Sequence, residues 1–198
     1  MLRSPTADDA LRVGRMLLGA GVQILEVTGT TPDACGVLTA LRGEADTEVL
    51  LGIGSVRSVD DAQRADDAGA DFLVSPGSPG QLMKAMLATG RLVLPGVFTA
   101  TEAMQAQAIG ARAVKLFPAS LIGPAGLRTL RGPLPDLAFV PTGGIAPSEV
   151  SQWLDAGALA VGVAGQLAPP TLIGDTEAAT LALRVRDVLA EISGRADH

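Results

Sequence analysis

Two charged residues sit in runs that otherwise read as buried strands. They are Lys115 in Ala113-Val114-Lys115-Leu116-Phe117 and Glu26 in Ile24-Leu25-Glu26-Val27. A lysine ammonium in such a run either reaches water along its apolar stem or sits in a low-dielectric pocket that favours the neutral amine. A neutral amine adds to a carbonyl and forms a Schiff base, and a carboxylate beside it can shuttle the protons. Two structural readings stand beside the chemical one: a snorkelling edge lysine, and an ion pair between the two residues. Lysine occurs only at Lys84 and Lys115, against thirteen arginines. Arginine cannot give up its proton, so a lysine kept at this position points to an amine that must.

Composition narrows the chemistry further. His198, the last residue, is the only histidine, and Cys35 is the only cysteine. No Ser-His or Cys-His pair, no disulfide within the chain and no histidine or cysteine metal cluster is therefore expected. Acid–base work must come from carboxylates, lysine, water or substrate. A net charge of −6 and an aromatic content of 3% argue against a polyanion or a stacked nucleic acid as the main ligand. They leave room for one small phosphate. The start, MLRSPTADDALRV, has acids too early for a signal peptide, and no uncharged apolar stretch approaches the roughly 20 residues of a membrane helix. The expectation is a single 1–198 domain in a reducing cytoplasm.

The elements that would hold these residues recur at a steady interval. Apolar runs fall at Ile24–Val27, Val49–Ile53, Phe72–Val74, Leu92–Leu94, Ala113–Phe117, Ala138–Val140 and Ala160–Val163. Helical segments lie between them. Thr6–Ala20 carries Ala10, Leu11, Met16 and Leu17 on one face, and Ser58-Val59-Asp60-Asp61 reads as a capping box. Pro32, Pro79, Pro124 and Pro147 fit first helical turns; Gly21, Gly69, Gly110 and Gly157 fit helix stops. A final helix is expected over Glu177–Ile192. Strands without two-residue alternation, separated by helices, mean a parallel sheet covered by helices. Extending the spacing backwards puts a further strand near residue 1, with Met1-Leu2-Arg3 as its tail. The predicted fold is a small (β/α)8 barrel with its first strand truncated; a doubly wound sheet is the alternative.

In such a barrel chemistry gathers at the C-terminal ends of the strands. Those ends carry Glu26, Ser55, Pro76, Lys115 with Phe117, and Thr142-Gly143-Gly144. Side chains alternate along a strand, so Lys115 and Phe117 share a face. The glycine pair before Pro147 suits backbone N–H contacts to an anion, or simply a tight strand–helix turn.

Taken in order, ILEVT (24–28), GIGSV (52–56), LVSPG (73–77), PGVFTATEA (95–103), AVKLFPAS (113–120) and VPTGGIAPSEV (140–150) resemble the 2-keto-3-deoxy-6-phosphogluconate (KDPG) and 4-hydroxy-2-oxoglutarate (KHG) aldolases. The resemblance runs from about residue 6 to about residue 167. It implies a class I aldolase on a (β/α)8 barrel, working without metal or other cofactor, commonly as a homotrimer. The substrate would be a small 2-keto acid, commonly phosphorylated, with neither nucleic acid nor membrane as partner. By position Lys115 resembles the Schiff-base lysine and Glu26 the general acid/base. Thr142 and Ser55 resemble the hydroxyls beside the pyruvyl group, Pro76 and Phe117 the pocket walls, and Gly143, Gly144 and Gly165 the phosphate loops. The chain departs from the family pattern at Thr30, where an arginine is usual, and at Gly165, where a serine is usual. The expected reaction is cleavage of KDPG to pyruvate and glyceraldehyde 3-phosphate. The alternatives are a related aldolase acting on 2-keto-3-deoxy-6-phosphogalactonate, 4-hydroxy-2-oxoglutarate or an unphosphorylated keto acid, and a non-catalytic, anion-binding barrel.

Overall fold

The computed structural model describes residues 1–171 and 175–193; His198 lies outside them. Strands and helices alternate as the spacing predicts. The elements are α1 (Ala7–Gly19), β1 (Ile24–Thr28), α2 (Ala34–Glu44), β2 (Leu50–Gly54), α3 (Val59–Asp67), β3 (Phe72–Val74), α4 (Gly80–Ala88), β4 (Leu92–Leu94), β5 (Gly96–Val97), α5 (Ala100–Ile109), β6 (Ala113–Leu116), α6 (Gly123–Arg131), β7 (Ala138–Pro141), α7 (Val150–Asp155) and α8 (Asp175–Ser193). Local chemistry sets the helix ends. Thr6 caps α1 by accepting from the Asp9 N–H, and Ser58 and Asp61 close a reciprocal capping box on α3. Gly21, Gly69, Gly110 and Gly157 follow helices with positive φ, which favours glycine. Of the prolines expected in first turns, Pro124 stands in the first turn of α6 and Pro147 opens a 3-10 turn, whereas Pro79 is the N-cap of α4 and Pro32 precedes the Asp33 cap of α2.

All the strand pairs are parallel. One sheet runs β1-β2-β3-β4 and the other β5-β6-β7, each strand beside its sequence neighbour. β4 and β5 are one path interrupted by Pro95, which has no N–H to donate but accepts from Lys115 N at 2.9 Å. The remaining gap is spanned by single contacts. Gly162 bridges Thr142, the Met1 nitrogen donates to Val163 O at 2.9 Å, and Leu2 bridges Val27. The neighbour relations thus return to their start. That is a barrel, not the strand-order reversal of a doubly wound sheet. The expected eighth strand at Ala160–Val163 is reduced to the bridge at Gly162, and the first to Leu2. Leu2 N donates to Glu26 O at 2.7 Å and Leu2 O accepts from Thr28 N at 2.9 Å.

Two apolar clusters fill the molecule. One gathers Leu2, Val13, Leu17, Val27, Leu38, Leu41 and Leu51; the other gathers Val114, Leu116, Leu127, Leu137, Phe139 and Trp153. Burying the Val, Leu and Phe side chains among these stabilises the fold by roughly 1.5–3 kcal/mol each before the cost of ordering the chain.

Candidate active site

Alternation along β1 and β6 decides what faces the barrel interior. Val27 packs with Leu2 in the first cluster and Val114 and Leu116 in the second, so Glu26, Lys115 and Phe117 take the opposite face. Lys115 is 5% exposed and Glu26 8% exposed, which removes the snorkelling reading. Among the described residues no ion pair joins them either. Glu26 Oε1 is buried and accepts no hydrogen bond, so it is free to serve a substrate group.

The Lys115 pKa is pushed below that of an ordinary lysine, first by burial and also by the positive charge of Arg3, while the charge of Glu26 opposes the shift. The Nζ atom lies 5.1 Å from the centroid of the Phe117 ring, whose face also favours the ammonium. Burial wins, and the arrangement favours an amine that deprotonates at lower pH.

Glycines make room for the functional side chains. A Cβ on Gly54 would lie 1.8 Å from Glu26 Oε1, so the carboxylate occupies the space above that glycine. A Cβ on Gly162 would lie 2.4 Å from Thr142 Oγ1, and one on Gly143 2.9 Å from the Phe117 ring. A Cβ on Gly96, which pairs with Lys115, would lie 2.3 Å from the Pro76 backbone; Pro76 therefore borders the strand beside Lys115.

The other expected residues divide. Thr142 is buried, and its hydroxyl donates to Val140 O at 3.3 Å. Ser55 follows Gly54 with φ +59°, a left-handed backbone that is uncommon for serine and held by the flanking Gly29–Gly54 and Val56–Val74 hydrogen bonds. Gly143 and Gly144 form a turn with φ +99° and +75°, and their N–H groups have no hydrogen-bond partner among the described residues. Gly165 is exposed, with open space around its Cβ position; its neighbour Gln166, not Gly165 itself, reaches the turn, with Nε2 3.5 Å from Gly144 O. At Thr30 the hydroxyl meets Thr28 Oγ1 at 3.2 Å and supplies no charge.

Sequence reasoning missed Arg3. Because Leu2 pairs with Val27 and packs outward, Arg3 falls level with Thr28 on the inner side of the strand end, near enough for its charge to act on Lys115. It is exposed and makes no ion pair among the described residues. The signal was the order Leu2 buried, Arg3 not, but three residues are too few to show an alternation. No group of three metal-ligating side chains occurs among the described residues.

A buried amine and a carboxylate oxygen without a partner, both inside one parallel barrel, are suited to imine chemistry on a ketone. The comparisons with known proteins point the same way. A family model described as "KDPG and KHG aldolase" matches residues 1–182. The 2-dehydro-3-deoxy-phosphogluconate aldolase of Treponema pallidum is 38% identical over 148 residues, covering 74% of this chain and 70% of that one. The 2-dehydro-3-deoxy-6-phosphogalactonate aldolase of Escherichia coli is 31% identical over 168 residues, covering 84% and 82%. Among solved structures, KDPG aldolase from Legionella pneumophila, with pyruvate captured as a covalent carbinolamine intermediate, superposes with a TM-score of 0.83 at 28% identity, covering 93% and 94%. The chain belongs to the KDPG and KHG aldolase family.

Proposed function

We propose that the protein is a class I aldolase that cleaves 2-keto-3-deoxy-6-phosphogluconate to pyruvate and glyceraldehyde 3-phosphate. The observation that carries this reading is the buried Lys115 amine, its pKa lowered, sharing the barrel interior with a carboxylate oxygen that has no partner.

The neutral Nζ attacks C2 of the keto acid, forming a C–N bond while the carbonyl oxygen takes up a proton. Glu26, through water, carries one proton from the attacking nitrogen to that oxygen and then gives it a second, so that the oxygen leaves as water and the protonated imine forms. The iminium draws the C3–C4 bonding pair toward nitrogen as the C4 hydroxyl gives its proton to Glu26 or its water. Aldehyde departs and an enamine remains. Protonation at C3 and addition of water at C2 release pyruvate and restore the amine. No electron acceptor is consumed, and the reading assigns no metal or other cofactor to any step.

Arg3 supplies the cation for the substrate carboxylate in the place that Thr30 leaves uncharged, helped by the hydroxyls of Ser55 and Thr142. Pro76 and Phe117 wall the pocket, and the free N–H groups of Gly143 and Gly144 face the phosphate, with Gly165 on the neighbouring loop. The relatives named for phosphogalactonate keep that epimer as the second reading. The decisive assay is pyruvate release from purified KDPG and from the galactonate epimer. Turnover of KDPG that is lost in Lys115→Arg supports the reading; cleavage retained by that variant refutes it, since arginine keeps the charge but not the nucleophile. We further propose a cytoplasmic homotrimer. Leu121 and Leu159, exposed apolar side chains, offer surface for a second copy, and sedimentation at a monomer's mass would overturn that assignment. No helix of the described residues is long and apolar enough to cross a membrane.

A further inference from the structure

The assignment of Lys115 as the Schiff-base amine leaves the far end of the substrate to be held, and the inference drawn next rests on that assignment. A line of contacts leads away from the amine. Nζ lies 5.1 Å from the Phe117 ring centroid, and the ring borders Gly143, where a Cβ would stand 2.9 Å from its edge. Gly144 follows, and a Cβ there would lie 2.6 Å from Ser120 Oγ. Ser120 is fastened in place. Its N–H donates to Gly143 O at 3.1 Å, and the preceding Ala119 N–H donates to Thr142 O at 2.9 Å.

The hydroxyl of Ser120 is on an exposed residue and has no hydrogen-bond partner among the described residues. Residues 117–122, 142–146 and 163–168, the loops that meet at this turn, contain no charged side chain. An anion entering here meets neutral donors: the amides of Gly143 and Gly144 and the hydroxyl of Ser120, whose backbone is tied to the turn. Gly144 has room for that hydroxyl only because it lacks a side chain.

We propose that Ser120 is a specificity-determining residue, its hydroxyl donating to the terminal phosphate of the substrate beside the Gly143 and Gly144 amides. The chain would then select phosphorylated over unphosphorylated 2-keto acids by a neutral donor set. A hydrogen bond to a charged group is among the stronger ones, and losing it lowers affinity by roughly tenfold or more.

The test compares Ser120→Ala with the wild-type protein on 2-keto-3-deoxy-6-phosphogluconate and on unphosphorylated 2-keto-3-deoxygluconate. Alanine keeps the Cβ that packs against Gly144 and removes only the oxygen. The ratio of kcat/KM for the phosphorylated over the unphosphorylated substrate should fall roughly tenfold, chiefly through KM. Measuring both substrates on one preparation cancels any difference in folded fraction. An unchanged ratio, whether both activities fall together or neither does, overturns the assignment. Borohydride reduction of the wild-type protein with pyruvate runs alongside. An adduct at Lys115 with an unchanged ratio sinks the Ser120 assignment alone, and no adduct removes the underlying aldolase reading as well.

Discussion

Substituting Gly54 by alanine should damage catalysis far more than stability. The new Cβ would stand 1.8 Å from Glu26 Oε1, 2.3 Å from its Cδ and 2.8 Å from its Cγ. Real Cβ atoms essentially never come within 3.0 Å of such neighbours, so Oε1 must retreat by at least 1.2 Å. The displaced group is the end of a side chain with free torsions, so the backbone of β2 can stay where it is. Misplacing a reacting group by about 1 Å costs on the order of 100-fold in rate. We therefore expect Gly54→Ala to lower kcat for aldol cleavage by roughly that factor, with melting within a few degrees of wild type. Gly52→Ala, two residues earlier on the same strand, supplies the contrast. Its Cβ would meet the Phe72 ring at 2.4 Å, and overpacking of that kind destabilises by about 1–3 kcal/mol. Steady-state kinetics and thermal unfolding of the two variants, run together, separate the effects. Wild-type kcat in Gly54→Ala, or a loss of stability there equal to that of Gly52→Ala, would refute the clasp between Gly54 and Glu26.

Other outcomes follow from the same geometry. Lys115→Met should abolish cleavage yet raise the melting temperature. The folded-state pKa of Lys115 lies below its unfolded value, so its burial penalty is fully present below the folded pKa and fades as pH rises toward 10.5; the stabilisation should follow that course, at roughly 2–4 °C per kcal/mol relieved. An unchanged melting curve at neutral pH would count against a desolvated amine. The pH midpoint for forming the pyruvate imine should move up in Arg3→Ala, which removes a neighbouring positive charge, and down in Glu26→Gln, which removes a negative one; either shift in the opposite sense contradicts the arrangement. Gly165→Ala should leave melting unchanged to within about 0.5 kcal/mol, since its Cβ enters open space and its backbone needs no positive φ.

Much of this architecture is legible in the sequence because it is local. The capping box at Ser58 and Asp61 and the glycine stops after the helices arise from residues a few positions apart, and so does the placement of Lys115 and Phe117 on one face. What escapes reading depends on distant partners. Gly54 reads as one more glycine until Glu26, folded over from the neighbouring strand, shows what its missing side chain is for. Pro95 ends one apolar run, and only the Lys115 N–H bonding to its carbonyl shows that the strand continues through Gly96 and Val97. Arg3 takes its place from a single bridge at Leu2, which no periodicity could reveal. The contact of Gln166 with the Gly144 turn likewise joins loops 22 residues apart and leaves no local pattern to read.

The most direct measurement is borohydride reduction of the protein in saturating pyruvate, followed by mass analysis of the peptide containing residue 115. The account predicts one reduced pyruvyl unit on Lys115, dependent on pyruvate and absent in Lys115→Arg. An unmodified Lys115, or an adduct at Lys84 instead, would contradict it.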